Sequence, residues 1–126
     1  MKPVELRRLQ SLMGNCGYNE GNKREFKRLG MKLMRELRAA LGIEADVRYN
    51  AGGIAVSGDC VMHGDRVYVL FNADTGLGIL YRSCAGRWDY SGGRNNWFPV
   101  RNLLEDGGFE KFVERVQYAT ARREAA

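Results

Sequence analysis

The hydrophobic period changes once along this chain, near residue 45, and that change restricts the fold more than any other feature. Upstream, apolar residues recur every three or four positions, the period of a helix with one buried face. Downstream they alternate, the period of a strand with one buried face. Helices gathered in one part of the chain and strands in another predict an α+β domain, with helices packed on one face of an antiparallel sheet.

In the helical part, Leu6, Leu9, Leu12 and Met13 predict a first helix that starts near Pro3. The stretch GNCGYNEGN, residues 14–22, interrupts it. Asn22, with Glu25 three residues on, reads as the start of a second helix. Phe26, Leu29, Leu33, Leu37 and Ala40 form its apolar face, and Gly42 ends it. From residue 45, ADVRYN, GIAVSGDCVM, RVYVLF and GILYRS read as three or four short strands. HGD (63–65) and NADTG (72–76) read as hairpin connections, and such short links favour antiparallel pairing. Phe109, Phe112, Val113 and Val116 predict a C-terminal helix. The 126 residues then divide, within one domain, into a helical part (1–42), a sheet with a long loop (45–104) and a final helix (108–123).

A hydrophobic content of 44% beside 28% charged residues fits a folded globular chain rather than a disordered one. No apolar run approaches the ~20 residues of a membrane span, and MKPVELRRLQSLM lacks the apolar core of a signal peptide, so a cytoplasmic protein without a membrane partner is expected. Three cysteines, Cys16, Cys60 and Cys84, fit reduced thiols better than a disulfide framework.

The net charge of +5 is unevenly placed. Residues 1–42 carry ten Lys/Arg against four Glu, whereas 43–104 carry six against six. Arg24, Lys27, Arg28, Arg35 and Arg38 share the face of the second helix opposite its apolar stripe. Such a face suits the phosphates of a nucleic acid, and it also suits plain solvation.

CAGRWDYSGGRNNWF, residues 84–98, follows neither period. Aromatic faces stack on bases, and arginines pair with phosphates or base edges; the same composition makes hot spots for protein partners. Arg87, Tyr90, Arg94, Asn95 and Trp97 are the binding candidates here. The alternative for Trp88 and Trp97 is that they tuck under the loop and close one end of the core, Trp88 before the others. Cys60 and His63, with Cys84 and Cys16, supply the residue types of a zinc site, but with only one close pair. His63, Asp89 and Cys84 or Ser91 supply those of a nucleophilic triad, with no local signature to frame them. The simpler expectation is packed thiols and a solvated histidine in a hairpin turn, with no catalytic residue, metal or cofactor. There is no phosphate-binding glycine motif between strand and helix.

GGIAVSGDCVMHGDRVYV and LYRSCAGRWDYSGGRNNW resemble segments of small uncharacterised proteins of phages, prophages and other mobile elements. The resemblance covers about residues 47–97 and implies no activity. It implies a setting in which small proteins act by binding. Most concretely this suggests an anti-defence inhibitor of the anti-CRISPR kind, acting on a host defence protein or nucleoprotein complex in the host cytoplasm. The alternative is a module that binds nucleic acid directly through the basic helix face and the aromatic loop. A small Cys/His enzyme or zinc protein is the third expectation.

Overall fold

The computed structural model describes residues 1–14 and 19–125, with side chains to residue 121. Two helices, α1 (Pro3–Leu12) and α2 (Glu20–Leu41), precede five strands. These are β1 (Asp46–Asn50), β2 (Asp59–His63), β3 (Val67–Phe71), β4 (Ile79–Ser83) and β5 (Asn96–Phe98). A 3-10 helix (Val100–Leu104) and α3 (Gly108–Ala125) complete the chain. The α+β class and the helix–sheet–helix order agree with the hydrophobic periods.

The sheet is an antiparallel meander in the order β1-β2-β3-β4-β5. Its register sorts the side chains, because successive residues of a strand point to opposite faces. Cys60 pairs with Phe71, Phe71 with Ile79, and Ile79 with Phe98. One row along, Met62, Val69 and Tyr81 pair in the same way. These rows are buried and face the helices. Phe26 of α2 meets Phe71 edge to face, with ring centroids 5.0 Å apart. Phe112 of α3 meets Phe98 at 4.9 Å and Tyr81 at 6.1 Å. Both long helices therefore lie on the same side of the sheet. Each fully buried Phe or Leu in this layer contributes about 1.5–3 kcal/mol relative to its exposed state.

Three local expectations are corrected. The cap of α2 is Asn19, not Asn22: the Asn19 side chain accepts the Asn22 N–H at 2.9 Å, while the Asn22 side-chain oxygen accepts from Arg8. Ala40 is exposed, and the buried face of α2 runs instead through Phe26, Leu29, Gly30, Leu33, Met34 and Leu37. Gly30 belongs there because α2 crosses β2 closely; a Cβ at this position would lie 2.6 Å from the Cys60 Sγ. The third correction concerns the strand read from GIAVSGDCVM, which begins only at Asp59 and extends through His63. Gly42 does end α2 in the left-handed conformation, with φ 65°.

Candidate functional site

No element of the described chain packs as a layer over the other face of the sheet. Its register gives two rows. Arg48, Val61, Leu70, Leu80 and Trp97 run across all five strands. Asp46, His63, Tyr68 and Arg82 run parallel to them across the first four. Trp97 reaches this face because Asn96-Trp97-Phe98 is a strand: its neighbours turn toward the helices while Trp97 points outward. Trp97 is 42% exposed, and Leu70 and Leu80 beside it are half-buried.

The loop of residues 84–95 folds back over the second row. Trp88 meets the His63 ring edge to face at 4.9 Å, and Tyr90 stacks on it at 5.4 Å. Tyr68 meets both His63 and Tyr90 at 5.1 Å. The Arg48 guanidinium lies 4.7 Å from the centre of the Trp88 ring, a cation–π contact on the exposed side of the cluster. Arg82 anchors the loop from below. It donates to the Asn95 side chain at 3.0 Å and to the Tyr90 carbonyl, and lies 5.9 Å from the Tyr90 ring. Gly93 crosses so near the Ser83 carbonyl that a Cβ there would collide with it. Trp88 itself has φ 68°, a conformation L side chains rarely adopt.

His63 is not a solvated turn residue but a fully buried one. Burial, then the nearby Arg48 and Arg87 charges, push its pKa below the ordinary 6.5, against a weaker opposing pull from Asp46 and Asp65. The Tyr68 hydroxyl is pushed up, first by burial and then by Tyr90 and Asp59.

The candidates separate on this frame. Tyr90, Arg94, Asn95 and Trp97 are exposed on or beside the loop and β5. Arg87 is bound within the protein, between Asp46 at 3.4 Å and Asp65 at 3.3 Å. Trp88, the aromatic weighed first for a place beneath the loop, is 61% exposed, and its backbone is left-handed at φ 68°.

The basic helix face lies on the far side of the sheet from the loop, since α2 packs on the Cys60–Phe71 face and the loop on the His63–Tyr68 face. The two do not form one surface. Arg28 is paired with Glu25 at 2.9 Å, Arg38 donates to the Ala45 carbonyl at 3.1 Å, and Lys27 lies over the Tyr49 ring at 5.1 Å. Arg24 and Arg35 are exposed and make no such contact among the described residues.

Strand alternation also separates the metal candidates. Cys60 faces the helices and His63 the opposite side, and among the described residues no three His, Cys, Asp or Glu side chains are placed to hold a metal ion. Cys16 lies outside the described residues. Cys84 is buried with its thiol toward the Asp65 carbonyl at 3.7 Å. The Asp89 carboxylate accepts from the Ser91 hydroxyl at 2.7 Å, and His63 Nε2 accepts the Trp88 backbone N–H at 3.4 Å. A triad requires the imidazole to bridge nucleophile and carboxylate, but His63 Nε2 is engaged by the Trp88 N–H and Nδ1 has no hydrogen-bond partner among the described residues.

No protein-family model, curated protein or solved structure matches the chain. Among the described residues, no helix is long and apolar enough to cross a membrane.

Sequence reasoning missed Arg48, Tyr68, Arg82, Leu70 and Leu80. The signal was present in the alternation of RVYVLF and GILYRS, whose second side carries Leu70 and Leu80 in the open row and Tyr68 and Arg82 beneath the loop.

Proposed function

We propose that the open face of the sheet binds single-stranded nucleic acid, by stacking unpaired bases on its aromatic side chains. The observation that carries this reading is the joint exposure of Trp97 and Trp88, at 42% and 61%, on a sheet face with no helix layer, with Arg48 beside Trp88. Four strand spacings of about 4.8 Å put roughly 19 Å between Trp97 on β5 and Arg48 on β1, room for a short run of nucleotides. Every base has a π-face, so such a platform tolerates many sequences. Single-stranded RNA is recognised by aromatics on open antiparallel sheets through the same physics.

Electrostatics play the smaller part. Arg87 is neutralised by Asp46 and Asp65, and Arg82 holds the loop, which leaves Arg48 and Arg94 as the exposed cations for phosphate. Two phosphate contacts on a single strand give a salt slope of about −1.4.

Fluorescence anisotropy with an oligouridine hexamer, its DNA counterpart and a duplex of the same length tests the reading. The single strands are expected to bind more tightly than the duplex. Equal binding of duplex and single strands, or none by either strand at low salt, would end it. The Trp, Tyr and Arg composition also suits a protein partner. An anti-defence role would set the same face on the RNA or an acidic patch of a host complex, and co-purification from host cells separates the two readings.

A further inference from the structure

His63 is the one histidine of the chain, and it is fully buried at the centre of the cluster that seats the loop. Its Nε2 accepts the Trp88 N–H at 3.4 Å. A neutral imidazole that accepts at Nε2 carries its proton on Nδ1, and Nδ1 is buried with no hydrogen-bond partner. A second proton would make Nε2 a donor facing the Trp88 N–H, and would bury a charge among three aromatic rings. The titratable and charged groups around the ring are Asp46 and Arg48 on β1, Asp65 in the β2–β3 turn, Tyr68 on β3, and Arg87 and Tyr90 in the loop. The two carboxylates do not offset a new cation freely, because Arg87 already lies between them at 3.4 and 3.3 Å.

We propose that His63 is the positioning residue of the open face. Its neutral ring seats the 84–95 loop and so presents Trp88 and Tyr90 for binding; protonation unseats the loop and withdraws that surface. The link to binding rests on the single-strand reading above.

The sign follows from linkage. With the loop seated, His63 takes up a proton less readily than a solvated imidazole does, and an open loop returns the ring toward that solvated reference. The seated state therefore keeps its full advantage above the ordinary pKa of 6.5 and loses it as pH falls through that value. Below it, the seating equilibrium shifts by up to about tenfold per pH unit until the seated form itself titrates. General charge acts the other way, since acid makes a protein more cationic and strengthens its hold on nucleic acid. Weakened binding in acid is therefore the distinguishing result.

Three measurements on the untagged chain at constant ionic strength test this between about pH 8 and pH 5. Proton NMR follows the single imidazole. Tryptophan fluorescence of Trp97→Phe, whose remaining indole is Trp88, follows the loop without ligand. Anisotropy follows the oligouridine hexamer on the native chain and on His63→Phe, which keeps a ring and cannot titrate. The imidazole is expected to titrate below 6.5, with Trp88 emission changing at the same midpoint. Binding by the native chain is expected to weaken in acid while His63→Phe holds constant or tightens. An imidazole titrating at or above its ordinary value, Trp88 emission unchanged through that titration, or matching binding profiles for the two proteins would overturn the proposal. If the hexamer binds at no pH, the single-strand reading fails, and the two ligand-free measurements alone decide the loop seating. They also decide it if His63→Phe does not fold.

Discussion

Replacing Trp88 by glycine and by alanine separates what its backbone costs from what its ring contributes. At φ 68°, Trp88 occupies the left-handed region, which costs a residue with a Cβ about 1–2 kcal/mol. Glycine relieves that cost but gives back about 0.5–1 kcal/mol through the freer unfolded chain. Either substitution removes the edge-to-face contact with His63, about 0.5–1.5 kcal/mol, and the Arg48 cation–π contact, about 0.5–1 kcal/mol. Because the ring is 61% exposed, little burial is lost. The backbone N–H that reaches His63 is kept in both. Trp88→Ala is therefore expected to destabilise by about 1–2.5 kcal/mol, and Trp88→Gly by about 0.5–1 kcal/mol less than that. Urea unfolding midpoints measure the difference. If the glycine variant is no more stable than the alanine variant, the strain argument is wrong. Strain of this kind persists where the surrounding structure over-determines it, and binding sites are where it gathers. Both variants are accordingly expected to lose oligonucleotide affinity, whatever their stability.

Two further predictions concern the helix layer. Gly30→Ala places a methyl group 2.6 Å from the Cys60 Sγ, an overpacking of about 1–3 kcal/mol that exceeds the helix-propensity gain of about 0.8–1 kcal/mol. Adding Cys60→Ala makes room, so a double-mutant cycle is expected to show at least about 1 kcal/mol of favourable coupling, and simple additivity would contradict the close crossing. The Glu5 carboxyl is held at about 2, first by the hydrogen bond from Lys32 and then by the Lys2 N–H, against an ordinary 4.5. A depressed carboxyl stabilises above its unfolded value and loses that contribution as pH falls, so Glu5→Gln is expected to lose stability less steeply than the native chain between 4.5 and about 2. Equal steepness in acid unfolding would refute this.

The fold was legible where periodicity is strong. The 3.6-residue stripe of α2 and the alternation of RVYVLF set the helix and strand classes without reference to anything distant. Short elements and long-range relations were not legible. The three residues of β5 sit among glycines and asparagines, and they become a strand only because Ile79, Leu80 and Tyr81 offer an edge to pair with. HGD resembles a turn, yet His63 stays in β2 because Asp46 and Tyr68 flank it in register. The aromatic segment was marked by composition alone. That it folds onto a histidine 25 residues away, held by Arg82 and crowned by Arg48, depends on strand register that no local pattern states. The basic helix face was likewise visible as a stripe, but its place on the opposite side of the sheet follows only from which face Phe26 buries.

Which surface holds the ligand is decided by one binding comparison. Anisotropy titrations of the oligouridine hexamer are run with the native chain, with Trp97→Ala, and with the paired substitution Arg24→Ala and Arg35→Ala. Loss of one stacked base costs about 1–3 kcal/mol, so Trp97→Ala is expected to weaken binding by roughly 5- to 150-fold. The helix pair is expected to change it by less than about twofold, with a native salt slope near −1.4. Unchanged affinity in Trp97→Ala, together with a clear loss in the Arg24 and Arg35 variant, would move the site to the helix face and contradict the account.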